Sequence, residues 1–498
     1  MVRIANVRMY EWANGVMIVQ NERLDNLGRY RGLLSEGEAE RLARAVERPL
    51  LSGIRANTLK VDAEAGRVEW SERYGWRTRP VVFCAAGWQI VAQERSPGKT
   101  LEHRMGMYYI QNAASMLPVE LFRFEQERPL ILDMAAAPGG KTTQLACRSQ
   151  DGGLVIANDI SAKRIPALRS NLQDWGVMGA AVTNYPGRRF GSWFPDTFDK
   201  VLLDAPCSGE SLRAAEWRKS RVVSAKERQA LHRRQVSLLT SGLQALKPGG
   251  EAVYATCTMA PEENEAVLDA LLKAHHPRIT IETVEHVLPT PAPGLASDGE
   301  HEFHPQVSRA ARLWPHLYDT SGFFAALIHK HDVIPAQVHP PPSRPLAKTG
   351  LEVLGEREQG EVMEGLLAAV GFDLDPVLEQ QALALYKREQ SVYAIPELFL
   401  SRFGDFPCAA VGMLVGNWAK QGFIPSHELA ARFAPQFTHE RMALVEQQAQ
   451  VWLAGRDLRG VAAAGVVVAM EDGQGRFLGL GKVLGGRIRN LLPRRWVF

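Results

Sequence analysis

The sequence has few cysteines, no long apolar run and little net charge. Five cysteines are spread over 498 residues without a C-x-x-C pair, so neither a zinc site nor a disulfide framework is indicated. No apolar run reaches the ~18 residues that span a membrane, and the N-terminal MVRIANVRMYEW has charges where a signal peptide is apolar. These absences predict a cytoplasmic protein that holds no metal and does not enter a membrane.

A formal net charge of +3 does not by itself indicate a nucleic-acid-binding protein. The length predicts several domains, at roughly 100–200 residues each. Their functions must therefore be inferred from local patterns rather than from overall composition.

Residues 131–143, ILDMAAAPGGKTT, predict a nucleotide-type pocket. A buried strand ends at Asp133 and is followed by a loop of small residues, so that the backbone can approach a ligand closely. The helix that follows directs its free N–H groups to the same place.

Two kinds of nucleotide loop fit this stretch. A P-loop needs G-x-x-x-x-G-K-[ST], and here Gly140 and Lys141 match while Ala135 replaces the first glycine. A Rossmann-like loop needs a second strand that ends in an acid about 20 residues later, to hold a ribose diol. Residues 154–158 and Asp159 supply that strand and acid, so we favour the Rossmann-like loop over a P-loop or a plain turn.

Strands and helices alternate from residue 130 to residue 330, which predicts an α/β fold with a Rossmann-like, doubly wound sheet. The predicted strands are 130–133, 154–158, 180–183, 199–203, 251–256 and 322–328. The predicted helices are 140–149, 161–175, 226–247 and 261–274.

Six units follow from the pattern along the chain. They are an N-terminal helical segment (1–50), a small α+β RNA-binding module (51–108), the Rossmann-like domain (109–330), a proline-rich linker (331–346), an intermediate C-terminal domain (347–439) and a β-rich RNA-binding module (440–498).

Two of these units are rich in arginine. In the 51–108 module, arginines alternate with Trp70, Trp76 and Trp88. This pattern suits RNA stacking and equally suits a small core with a solvated basic face. The chain ends in a basic stretch that favours RNA binding over a solvated end; its residues are Lys482, Arg487, Arg489, Arg494 and Arg495.

Acids and cysteines follow several of the predicted strands. Asp204 precedes Cys207 by three residues, and Cys257 ends the next strand. Carboxyl ends of parallel strands meet in one crevice, so these residues should converge with Asp133 and Asp159. Beside an adenosyl-type cofactor, a thiolate can add to C6 of a pyrimidine and so make C5 nucleophilic towards a sulfonium methyl group.

Supporting groups for this chemistry are present in the same motifs. Asp204 would hold the N3/N4 edge of a cytosine, and Lys141 or a helix N-terminus would lower the pKa of the reacting thiol. The other cysteines, Cys84, Cys147 and Cys408, are interpreted as small core residues.

Together these motifs resemble the NOL1/NOP2/Sun family of RNA cytosine-C5 methyltransferases. The resemblance covers about residues 1–330, and the tail, with GRD at 455–457, is similar to the PUA-like end of the RsmF branch, which methylates small-subunit ribosomal RNA. The matching motifs are RANT (55–58), YIQ (109–111), DMAAAPGGKT (133–142), DAPCSG (204–209) and TCT (256–258).

The resemblance implies S-adenosylmethionine as the cofactor and RNA as the partner, with 16S ribosomal RNA as the expected substrate and a monomer as the expected state. It implies Cys257 as the nucleophile and Cys207 as the residue that assists breakdown of the covalent adduct, with Asp204 beside both cofactor and base. Asp159 would hold the ribose, and the methionine end would be wrapped by Ala135, Ala136, Ala137, Pro138, Gly139, Gly140 and Lys141.

One departure from the family pattern concerns adenine. Many members carry an acid before Gly-Arg after the third strand, whereas this chain has Pro186 there. The adenine contact must therefore be weaker or come from elsewhere. Transfer RNA as the substrate, or a non-catalytic RNA-binding protein of ribosome assembly on the same fold, are the alternatives.

Overall fold

The computed structural model describes residues 10–13, 16–19, 28–30, 32–212, 223–420, 422–460 and 466–497. Among these residues no helix is long and apolar enough to span a bilayer. The same residues contain no group of three or more histidine, cysteine or acidic side chains able to hold a metal ion.

A nine-stranded sheet forms the centre of the structure. Its inner strands are parallel and apolar on both faces, as expected for strands covered by helices on each side. The predicted Rossmann-like α/β sheet is confirmed. Its strand order is Ile279–Ile281, Phe323–Lys330, Leu246–Thr256, Phe198–Asp204, Leu130–Asp133, Leu154–Asn158, Ala180–Thr183 and Ala410–Val411, with Ala311–Leu313 paired to Phe323–Lys330.

Four helices cover this sheet near the positions predicted for them. Two begin four residues late, one because Pro166 stands in its first turn and the other because a short 3₁₀ turn precedes Glu265. The four helices are Gly140–Arg148, Ile165–Trp175, Ala225–Ala245 and Glu265–His275.

The edge strand Ala410–Val411 comes from the segment predicted as an intermediate domain, and it pairs antiparallel with Ala180–Thr183. The proline-rich residues 331–346 also pack against the central domain: Ile334 is buried in the same apolar cluster as Phe198 and Phe403. Prolines prevent regular hydrogen bonding there, but they do not prevent burial.

The prediction of a helical segment over residues 1–50 is wrong at its start. Tyr10–Ala13 pairs antiparallel with Val16–Val19, and the intervening Asn14-Gly15 is a strong hairpin signal that the helical interpretation missed. The later helix exists as Glu36–Glu47, with a capping box between Ser35 and Glu38.

The N-terminal module is a four-stranded antiparallel sheet with the helix Ala63–Tyr74. The boundary predicted at 108/109 is wrong because the strand Tyr108–Gln111 pairs with Ser52–Ala56 and so belongs to this module. The strand order is Arg77–Val81, Cys84–Ala92, Ser52–Ala56 and Tyr108–Gln111.

The interpretation of its tryptophans as an RNA-stacking surface is also wrong. Trp70, Trp76 and Trp88 are 2%, 5% and 3% exposed and form one cluster with Tyr74 and Tyr108. A small module buries little apolar surface per residue, so its largest side chains are needed for its core.

Two five-stranded sheets follow in the C-terminal half. The first contains Glu352–Val353, Leu383–Arg388, Ser391–Pro396, Met413–Ala419 and Gly422–Pro425. The second, which confirms the predicted β-rich tail, contains Arg441–Ala443, Val467–Glu471, Phe477–Leu484, Arg487–Asn490 and Leu458–Arg459. The accompanying helices are Glu356–Val370, Asp375–Gln381, Glu397–Phe403, His427–Phe433 and Glu446–Leu453.

Part of the basic C-terminus forms contacts within the chain itself. Arg495 forms an ion pair of 2.8 Å with Asp174, and the indole N–H of Trp496 donates to the same carboxylate at 2.8 Å. Asp174 lies on the helix Ile165–Trp175. The tail is therefore docked on a helix of the central domain.

Trp88→Ala should lower the free energy of unfolding by about 3–5 kcal/mol, because it removes a large buried ring from the core. Val82→Ala, at a position 59% exposed in the neighbouring turn, is the control and should change stability little. Thermal and urea unfolding measure both effects. An unchanged stability together with weaker RNA binding would instead favour a stacking role for Trp88.

Candidate active site

The structure brings the two site cysteines into contact. Phe198–Asp204 and Leu246–Thr256 are neighbouring parallel strands in which Asp204 is paired with Ala255. Cys207 and Cys257 follow their ends, and their sulfur atoms lie 3.2 Å apart. This separation is a hydrogen-bond contact, well beyond the ~2.05 Å of a disulfide.

The two thiols are not equivalent. Cys257 is exposed, whereas Cys207 is half-buried. The hydrogen bond to Cys257, followed by burial, raises the pKa of the Cys207 thiol, and the charges of Cys257, Glu263 and Asp204 add to the rise. The raised pKa favours the protonated form of Cys207.

A buried carboxylate anchors the Cys207 loop. Glu263 accepts hydrogen bonds from the Ser208 N–H at 3.0 Å and from the Gln235 amide at 2.9 Å, and Gln235 also donates to the Pro206 carbonyl at 3.0 Å. The hydroxyls of Ser208 and Thr258 lie 2.9 Å apart and join the two loops. Sequence reasoning missed Glu263 and Gln235 because nothing local connects them to Cys207.

Lys141 and Asp204 form an ion pair of 2.6 Å in the same crevice. Burial lowers the pKa of Lys141, but the charge and hydrogen bond of Asp204 outweigh burial, helped by Cys257 and Asp133, so the pKa lies above its usual value. Lys141 is therefore a permanent cation close to the Cys257 sulfur. This is the cation that the sequence suggested for stabilising a thiolate.

The predicted cofactor loop lines a cavity of about 260 Å³. A Cβ atom at Gly140 would lie 3.1 Å from the Tyr109 ring, and Gly139 has a φ of +111°, so both positions favour glycine. Arg55 donates to the Gly140 carbonyl at 2.9 Å and to the Thr143 hydroxyl at 2.8 Å. The loop residues that line the cavity are Ala135, Ala136, Ala137, Pro138, Gly140 and Lys141.

Two side chains in this cavity have buried polar atoms without a hydrogen-bond partner among the described residues. Asp133 accepts from Thr142 through Oδ2 at 2.7 Å while its Oδ1 is unpaired, and both amide atoms of Gln111 are unpaired. Burial raises the pKa of Asp133 to about 7. An α-amino acid group supplies one ammonium donor and one carboxylate acceptor, so these side chains fit the methionine end of S-adenosylmethionine.

A second cavity, of about 550 Å³, adjoins the first at Ala135. Asp159 lines it and also accepts from the Ala137 N–H at 3.2 Å while pairing with Arg164 at 3.1 Å. Pro186 lies in the wall, and among the described lining residues Asp159 supplies the single carboxylate. A carboxylate has about four acceptor sites, so Asp159 can hold its loop and still accept from a ribose.

Comparisons with known proteins agree with this geometry. Residues 121–329 match the family described as 16S rRNA methyltransferase RsmB/F, residues 25–113 match the N-terminal domain of 16S rRNA methyltransferase RsmF, and residues 440–498 match the methyltransferase RsmF PUA domain. Ribosomal RNA small subunit methyltransferase F of Vibrio atlanticus is 34% identical over 91% of this chain and 92% of its own length. The chain belongs to the ribosomal RNA small subunit methyltransferase F family.

Other members of the F family are similar to this chain over nearly the same length. The relative from Aeromonas hydrophila is 35% identical over 90% of this chain and 92% of its own length, and that from Escherichia coli is 32% identical over 91% of both chains.

Solved structures are similar to part of this F-family chain. A methyltransferase homolog from Pyrococcus horikoshii covers 62% of this chain and 98% of its own, with 32% identity and a TM-score of 0.55. NSun6 from the same organism, solved with SFG, has a TM-score of 0.51 at 21% identity, over 61% of this chain and 97% of its own, and supports the fold alone. The cofactor is S-adenosylmethionine, and the P-loop alternative is wrong.

The ionisation of Asp133 should control cofactor binding. Since its pKa is about 7, affinity for S-adenosylhomocysteine, which keeps the ammonium group, should rise about tenfold from pH 6 to pH 8 as the carboxylate forms. Asp133→Asn should bind more weakly at pH 8 and lose this rise, as measured by calorimetry. Asp332→Asn, at an exposed site after the strand Phe323–Lys330, is the control, and a rise that survives in Asp133→Asn would contradict the assignment.

Proposed function

We propose that this chain methylates C5 of a cytosine in 16S ribosomal RNA through a covalent adduct between Cys257 and C6. The observation that carries the proposal is the contact of 3.2 Å between two sulfur atoms of unequal exposure, in a crevice shared with Lys141 and Asp204. We also propose that it acts as a monomer in the cytoplasm.

The cofactor would be held at both ends by side chains of this chain. Asp133 and Gln111 would bind the ammonium and carboxylate groups, the small-residue loop would leave room for the methionine backbone, and Asp159 would accept from the ribose hydroxyls. When bound, S-adenosylmethionine supplies the methyl group from its sulfonium. Because residue 186 is a proline, its side chain cannot accept a hydrogen bond from adenine.

Addition to the base would begin at Cys257. Its thiolate forms a bond to C6, and the electron pair of the C5–C6 double bond moves into the ring and increases the nucleophilicity of C5. Asp204, held in place by Lys141 at 2.6 Å, would accept hydrogen bonds from the N4 amino group and from a proton on N3, and the electron pair that addition pushes into the ring would neutralise the protonated N3. Cys207 stays protonated during this step.

Release of the product would depend on a change in Cys207. The largest cause of its raised pKa is the hydrogen bond to Cys257. Once Cys257 is bonded to C6, its sulfur is neutral and a poor acceptor, so the pKa of Cys207 falls. Cys207 can then release its proton to solvent and, as a thiolate, accept the C5 proton, directly or through water, while the electron pair of the C5–H bond restores the double bond and the Cys257 sulfur leaves as a thiolate.

The two alternative functions have less support. The relatives that cover this chain are named for small-subunit ribosomal RNA rather than transfer RNA. A non-catalytic role in assembly would not require two thiols, a cation and a carboxylate in one crevice.

The two cysteine variants should fail in different ways. Cys257→Ala should abolish methyl transfer and form no covalent complex, because no thiolate can add to C6. Cys207→Ala should still add and transfer but stall before elimination. Denaturing electrophoresis of enzyme with labelled RNA should therefore show a slow-moving band for Cys207→Ala that requires S-adenosylmethionine.

The double variant is the control for this band and should not form it. If both cysteines only packed the core, neither single variant would give a band and both would be destabilised. A band in Cys257→Ala instead would reverse the two roles.

A further inference from the structure

A second cleft lies at the far edge of the central sheet from the cysteines. It has a volume of about 480 Å³ and is bounded by the helix Ile165–Trp175, the edge strands Ala180–Thr183 and Ala410–Val411, and the sheet that contains Ser391–Pro396. Ala180–Thr183 is four strands from Leu246–Thr256, or roughly 20 Å at about 4.8 Å per strand. The cleft shares no lining residue with either cofactor cavity.

Three arginines from three separate segments line this cleft: Arg169, Arg344 and Arg388. All three are exposed, and none forms an ion pair with a carboxylate within the part of the chain that the structure describes. Arg344 donates to the Lys348 carbonyl at 3.0 Å, which fixes its position without neutralising its charge. Guanidinium groups are well suited to bind phosphate.

The acidic charge in the cleft is small. Glu428 is the single carboxylate among the described lining residues. Burial raises its pKa, and the hydrogen bond from the Leu414 N–H and the charges of Arg495 and Arg169 oppose the rise.

The lining of the cleft also includes apolar and aromatic side chains. They include Tyr393, Phe406, Leu351 and Ile395, and the Arg388 guanidinium lies 6.0 Å from the centre of the Tyr393 ring. An aromatic ring beside arginines suits a base attached to a phosphate. The volume suits one small ligand and is too small for a helix of paired RNA.

We propose that this cleft binds one unpaired nucleotide of the RNA substrate, with its phosphate at Arg169, Arg344 and Arg388 and its base against Tyr393. The inference rests on the proposed function in taking RNA as the substrate. A nucleotide held at this distance from Cys257 would fix the direction of the strand that enters the active site. A free nucleotide carries the same phosphate and base, and the experiment below distinguishes it from RNA.

The test uses the full chain with all three arginines changed to alanine. Its affinity for a short, labelled, single-stranded oligoribonucleotide should fall by at least about tenfold at low salt, and the slope of log K against log salt should drop by roughly 0.7 for one lost phosphate contact. Affinity for S-adenosylhomocysteine should not change. Arg357→Ala, whose side chain is 88% exposed on the helix Glu356–Val370, is the control and should keep the slope.

A direct measurement locates the base. Ultraviolet cross-linking followed by mass spectrometry should attach RNA to Tyr393 in the wild type and lose that cross-link in the triple variant. An unchanged salt slope, or the absence of a Tyr393 cross-link, overturns the proposal. Saturable binding of cytidine monophosphate that depends on the arginines, with RNA affinity unchanged, would show a free-nucleotide site and would also overturn it.

Failure of this inference is distinguishable from failure of the proposed function. If Cys207→Ala forms its adduct while the triple variant binds RNA normally, the cleft assignment alone fails. If the triple variant loses RNA affinity while no cysteine variant forms an adduct, the C5 chemistry alone fails.

Discussion

The candidate site depends on one contact between two sulfur atoms. Cys207 and Cys257 lie 3.2 Å apart, and the hydrogen bond between them is the largest cause of the raised pKa of the Cys207 thiol. The contact also places the two thiols in different environments, since Cys257 is exposed and Cys207 is half-buried. In the proposed mechanism, bonding of Cys257 to a base would remove the main cause of the raised pKa of Cys207, so the two sulfurs would act one after the other.

The backbone, rather than the cysteine side chains, brings the two sulfur atoms into contact. Two neighbouring parallel strands bring Cys207 and Cys257 to the same sheet edge, and Glu263 then fixes the Cys207 loop through the Ser208 N–H. The Lys141–Asp204 pair closes the other side of the crevice. Burial of Glu263 and Lys141 in the folded state is unfavourable unless both keep these partners, so the loops have little freedom to separate the sulfurs.

The sequence alone predicts those strands and site residues whose evidence lies in a few neighbouring residues. Strands such as Leu130–Asp133 were predicted because continuous apolar runs end in acids or glycine loops, and the cysteines were placed because parallel strands share an edge. The edge strand Ala410–Val411 depends on a partner strand more than 200 residues away in the chain and has no local signature. The sequence left the tryptophans of the N-terminal module open between RNA stacking and a small core, because burial, not residue type, decides whether a ring can stack on RNA.

The N-terminal module and the tail both attach to the cofactor-binding part of the sheet. Arg55 bonds the start of the helix Gly140–Arg148, Asn57 donates to the Trp175 carbonyl at 2.9 Å, and Arg495 pairs with Asp174. Residues of the kind that bind RNA therefore form contacts between the modules of this enzyme. Substrate RNA must therefore be recognised by surfaces that several modules build jointly, because the modules that carry the basic residues are fixed to one sheet and cannot close around RNA independently.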